Sequence, residues 1–133
     1  MAALAIAEWY RSQPDAQIEA RIAVLRKDPI LTAFRAELGQ PDNPVTRWKC
    51  TMELPPAYSE DFHAKADTES AQSIAAIARG AGWKTRINRQ PARSFTVELH
   101  KSFGTWASDS LLLLHQGSVT VELDAVDTDH ASC

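Results

Sequence analysis

Two stretches in the second half of the chain alternate strictly between apolar and polar positions. In Ser94–His100, Phe95, Val97 and Leu99 alternate with Thr96, Glu98 and His100, and in Ser118–Asp124, Val119, Val121 and Leu123 alternate with Thr120, Glu122 and Asp124. A period of two marks a strand with one buried and one wet face. Trp83–Arg89 has the same parity, with Trp83, Thr85 and Ile87 opposed to Lys84, Arg86 and Asn88. Leu111–His115 and Ser118–Asp124 predict a hairpin closed by Gln116–Gly117. Earlier in the chain, Val45–Leu54 alternates Trp48, Cys50, Met52 and Leu54 with Arg47, Lys49, Thr51 and Glu53, until Pro55–Pro56 ends the strand.

Other segments carry helical spacing. Ala2–Arg11 reads as a short helix, and Pro14 and Asp15 suit the first turn of a second, with Ile18, Ile22 and Leu25 on its apolar stripe. Pro29 interrupts that helix, because it has no amide proton and disfavours helix at the residue before it. A third segment carries Ile30, Leu31, Phe34 and Leu38 and ends at Gly39. A further helix is predicted between Ser59 and Gly80, firmest from Thr68, with stripe Ala71, Ile74, Ala75 and Ala78. Lys101–Asp109 reads as a loop carrying Phe103 and Trp106.

The expected fold class is α+β, with the N-terminal helices and one further helix packed on one face of a mainly antiparallel sheet of about five strands. Residues 1–124 form a single domain and 125–133 a loose acidic tail. The 133 residues, 44% hydrophobic and 23% charged, are enough for one buried core without a metal or disulfide.

Charge changes the picture. The net value is only −3, but Arg79–Lys101 holds six basic residues against one acid, a local balance of +5. Asp109–Cys133 holds five acids and no Lys or Arg. The two segments are neighbours in the expected sheet, so its surface is dipolar. Cys50 is expected inside as a reduced thiol, the start of the chain lacks a basic leader pattern, and no apolar run approaches a membrane span. A soluble cytoplasmic protein is the default, and abundant Ala with Arg exceeding Lys fits a bacterial or phage source.

The chemistry centres on the polar sheet face. Glu98 and His100 share it, roughly 6–7 Å apart by strand geometry. With Arg86 and Lys84 on an adjacent strand, a carboxylate base, an imidazole acid and cationic stabilisers meet on one surface, the requirements of a metal-free ribonuclease. Helices followed by an antiparallel sheet resemble, in outline, the microbial ribonucleases and RelE-like toxins. No local motif carries their sites over to these residues.

His100-Lys101-Ser102 and His130-Ala131-Ser132 repeat H-x-S, but the second copy has no strand pattern. His63 and His115 lack partners at metal-ligand spacing, no CxxC or HExxH occurs, and Gly80-Ala81-Gly82 follows a helix rather than opening one. No metal and no cofactor is expected.

Three functions follow. The first is a non-enzymatic accessory, adaptor or inhibitor protein that docks a protein partner through the charged face (Arg47, Lys49, Lys84, Arg86, Arg89, Glu98, His100) and the aromatic loop (Phe103, Trp106). The second is a nucleic-acid-binding module using the basic 79–101 segment. The third is the ribonuclease-like enzyme using Glu98, His100 and Arg86.

Overall fold

The computed structural model describes residues 16–91 and 94–127, so the helix expected over Ala2–Arg11 lies outside it. Helix α1, Ala16–Arg26, buries Arg21, Ile22 and Leu25. Pro29 ends it as the sequence predicts, but it does so by opening α2, Pro29–Leu38. Asp28 caps that helix in an extended conformation, its carboxylate accepting from the Ile30 amide at 3.0 Å. A short polar side chain here satisfies an amide that has no partner inside the helix. The same carboxylate accepts from Trp83 Nε1 at 2.9 Å and Lys101 Nζ at 2.6 Å. One capping residue thereby ties the α1–α2 corner to Trp83 and Lys101, distant in sequence. Helix α3, Thr68–Gly80, is capped by Asp67 and buries the expected stripe Ala71, Ile74, Ala75 and Ala78.

The seven strands form one sheet, ordered β1-β2-β6-β5-β4-β3, with β7 pairing β5 off this path. Their ranges are β1 Asp42–Arg47, β2 Ala57–His63, β3 Lys84–Gln90, β4 Ser94–Ser102, β5 Trp106–His115, β6 Ser118–Asp124 and β7 Val126–Asp127. Every pairing is antiparallel. The fold is therefore α+β, with the three described helices on one sheet face. Inward residues Phe62, Val97, Leu99, Leu112, Leu114, Val119, Val121 and Leu123 meet Ile22, Leu25, Ile30, Leu31, Phe34 and Ile74 in one core.

Several expectations are corrected. The alternation over Val45–Leu54 is not one strand. Pairing stops at Arg47, and residues 48–54 leave the sheet in an excursion closed by a Thr51–Leu54 bridge, with Met52 and Glu53 at positive φ. Met52 is 90% exposed, and Cys50 is exposed and disulfide-bonded rather than a reduced thiol in the core. Ala57–His63, expected to turn helical from Ser59, is instead a strand between β1 and β6. The loop expected over Lys101–Asp109 shrinks to Phe103–Thr105, because β4 runs to Ser102 and β5 starts at Trp106. Of the tail expected over 125–133, the described part stays on the sheet, through buried Ala125 and the pairing of Val126–Asp127 with β5, and 128–133 lie outside the described residues.

Glu60 explains why β2 is hard to see. It points inward and is 1% exposed, with its carboxylate accepting from Arg35 Nε at 3.0 Å, from a second Arg35 nitrogen, and from the Tyr58 hydroxyl at 2.5 Å. Burial and the adjacent carboxylate push the Tyr58 hydroxyl pKa up. Arg35 is held protonated by its bond to Glu60. A fully bonded charge is the form in which a carboxylate persists in a core.

Candidate functional site: the outer sheet face

The face away from the helices carries the outward residues of successive strands in rows. In one row Lys84 lies opposite His100, and His100 opposite Asp109. In the next, Arg86 lies opposite Glu98, and Glu98 opposite Leu111. In the third, Asn88, Thr96, Leu113 and Thr120 are successive neighbours. The even-numbered residues of β3, β4 and β6 thus share the surface that the sequence predicts. The rows end on β2 and β1, where Arg47 sits opposite Ala57.

Lys84, Arg86, Glu98, His100, Asp109 and Leu111 line a shallow hollow of about 500 Å³. Arg86 Nε is 3.7 Å from Glu98 Oε2, an exposed pair of small energetic value. His100 Nδ1 is bonded to Asp109 Oδ1. A carboxylate accepting from Nδ1–H fixes the tautomer that leaves Nε2 available as a base. A second hollow of about 350 Å³, lined by His100, Asp109, Asp124 and Asp127, adjoins the first.

Asp124 sits behind this pair. Its carboxylate accepts from the Asp109 amide at 2.7 Å, and its own amide donates to Ser110 Oγ at 2.9 Å. Burial, with lesser contributions from Asp109 and Glu122, pushes the Asp124 carboxyl up to about 6.

The remaining predicted site residues are dispersed. Arg47 donates to the Pro55 carbonyl at 2.6 Å and reaches Glu122 at 3.2 Å, so it braces the sheet. Lys49 lies in the excursion after β1, and Arg89 is exposed near the far end of β3. The two rings of the expected aromatic loop pack against each other. Trp106 is only 8% exposed within β5, and it stacks on Phe103 at a centroid distance of 4.3 Å, beneath Arg21 at 5.5 Å. Trp106 is buried, and Phe103 is half-buried against it. Trp83 is likewise buried and bonded to Asp28.

Sequence reasoning missed the apolar centre of the face. Leu111 and Leu113 are 52% and 45% exposed in the middle of the outer surface, on β5. The signal was present, because an unbroken apolar run such as Leu111–Leu114 inside a strand puts apolar side chains on both faces. It also missed Asp109 as the partner of His100.

Among the described residues, no cluster of three His, Cys, Asp or Glu side chains is arranged to hold a metal ion, and no helix is long and apolar enough to cross a membrane. The features together define an open-faced α+β protein with a mixed-charge surface around two leucines. Compared with known proteins, the chain matches no family model, no curated relative and no solved structure.

Proposed function

We propose that this chain is a non-enzymatic docking protein that binds a protein partner through the outer sheet face. The observation that supports the reading is the pair Leu111 and Leu113, half exposed on a regular strand, Leu111 opposite Glu98 (itself opposite Arg86) and Leu113 between Thr96 and Thr120. An apolar centre with a charged rim is the anatomy of a protein interface. A regular strand holds the anchors in place, so binding orders little chain. The partner-binding set changes accordingly. Lys84, Arg86, Glu98 and His100 remain, Leu111 and Leu113 replace Phe103 and Trp106, and Arg47, Lys49 and Arg89 drop out.

Nucleic-acid binding is the weaker reading. Asp109, Glu122 and Asp124 share the face with the cations, and the tryptophans near the basic segment are buried. A cytoplasmic location loses the support of a reduced Cys50, since a disulfide favours an oxidising compartment.

The test is capture of the partner on immobilised protein. Replacing Leu111→Lys and Leu113→Lys abolishes capture, while circular dichroism and thermal unfolding stay close to those of the parent. Capture that survives both substitutions rejects the face.

One observation favours a second reading, metal-free RNA cleavage: His100 held by Asp109 beside Lys84 and Arg86. If purified protein cleaves RNA and Glu98→Gln with His100→Ala removes the cleavage, the enzymatic reading replaces the docking one.

A further inference from the structure

The two edges of the sheet differ. The β1 edge is irregular, with a register shift between Asp42 and Val45, Asn43 at positive φ, and Pro44, which has no amide to donate. Bulges and prolines blunt an edge against a further strand. The β3 edge has neither. All seven residues from Lys84 to Gln90 pair in unbroken register with β4, and β3 ends the strand order, so its other side meets no strand among the described residues. Its composition is one-sided: Lys84, Arg86 and Arg89 with no acid. Arg79 adds a fourth cation beside it, donating to Thr85 Oγ1 at 3.0 Å. Arg86 is paired with the exposed Glu98 at 3.7 Å. On the other side of the strand Ile87 is partly exposed.

We propose that β3 is a strand-addition site for an extended acidic peptide segment of a partner protein, with acids at alternate positions opposite Lys84 and Arg86 and an apolar residue opposite Ile87. Main-chain hydrogen bonds hold such a segment, and the alternate side chains select it. Lys84 and Arg86 are two residues apart, so both point to the outer face, where an added strand presents its own alternate residues. A second copy of β3 is disfavoured, because edge-to-edge pairing sets like charges against each other. The proposal rests on the docking reading only in making the partner a polypeptide. It uses the edge, and the leucines of the face are not involved.

The probe is a seven-residue peptide alternating Glu and Val, matched to the length of β3 and titrated into the full-length protein. Calorimetry gives the affinity, and amide hydrogen exchange gives the place. Binding weakens as salt is raised, and alternate β3 amides gain protection. Lys84→Glu with Arg86→Glu lowers affinity at least about tenfold. The corresponding Lys–Val peptide does not bind, nor does the Glu–Val peptide with a central proline. Absence of binding, equal binding of the acidic and basic peptides, undiminished binding of the proline peptide, or protection outside β3 each overturns the proposal. The charge-neutral pair Leu111→Ser with Leu113→Ser leaves peptide affinity unchanged, so failure of the face and failure of the edge are read separately.

Discussion

Asp124 carries a charge that the fold holds at a cost. Its pKa stands near 6 because burial withdraws water from the carboxylate and Asp109 and Glu122 lie close by. The amide bond from Asp109 offsets only part of this. For an acid whose folded pKa is raised, the folded chain takes up a proton before the unfolded chain does. Stability therefore rises as pH falls from about 6 toward about 4, and the full penalty is present above about 6. A shift of this size corresponds to an order of 2–3 kcal/mol. Asp124→Asn keeps the acceptor for the Asp109 amide and removes the charge. Urea unfolding at about pH 8 is expected to show the variant more stable by about 1–3 kcal/mol, with the advantage vanishing at about pH 4. Equal midpoints at the higher pH would place the carboxyl at its ordinary value. Glu60 is a second buried carboxylate, bonded to Arg35 and Tyr58. Arg35→Met leaves the buried Glu60 carboxylate without its counter-charge and is expected to cost about 3–5 kcal/mol, whereas Glu60→Leu combined with Arg35→Met costs far less. Denaturant midpoints of the single and double variants check the coupling.

Elements were legible where side chains obey the period of their backbone. Phe95, Val97 and Leu99 of β4, Val119, Val121 and Leu123 of β6, and the alanine stripe of α3 are all buried as their spacing requires. Strand β2 broke the rule through one residue. With Glu60 inside, Tyr58 and Phe62 stand four apart across a polar gap, and the alternation reads as helix. The excursion at residues 48–54 failed the other way. Trp48, Cys50, Met52 and Leu54 alternate well, but period two is no evidence of a neighbouring strand, and positive φ at Met52 and Glu53 turns the chain away. Strand β5 hid its start because Ser108 and Ser110 occupy inward positions, bonded to each other at 2.9 Å. The site was half legible for the same reason. Polar residues on alternating strands declared their face, while Leu111 and Leu113 were indistinguishable in sequence from Leu112 and Leu114. The β5–β6 turn was legible outright, and it offers a test of local chemistry. Gln116 and Gly117 have φ of +47° and +83°, the two left-handed positions of a type I′ turn. Asn enters that region more readily than Gln, so Gln116→Asn is expected to raise stability by a few tenths to about 1 kcal/mol in thermal unfolding. Gly117→Ala lowers it by about 1 kcal/mol or more.

At the scale of the whole molecule, the core and the proposed docking surface lie on opposite sides of one sheet. The helices, the Asp28 cap and the Glu60 network all act on the inner face, so the outer face can vary without loosening the core. That face is also electrically divided. Lys84 and Arg86 lie on β3, whereas Asp109, Glu122 and Asp124 lie on β5 and β6. Charges at the rim of an interface act mainly on the rate of encounter, and apolar anchors at its centre act on the lifetime of the complex. The screening length is about 8 Å at physiological salt and about 3 Å at 1 M. Raising the salt over that range is therefore expected to slow association with the partner by about tenfold or more, with little change in dissociation. Leu113→Ala is expected to do the reverse, shortening the complex lifetime while leaving the association rate near the parent value. Surface plasmon resonance at several ionic strengths separates the two effects. If salt acted on dissociation and the leucine on association, the partner would be held by the charges rather than steered by them, and the centre of the interface would move from Leu111 and Leu113 to Arg86 and Glu98.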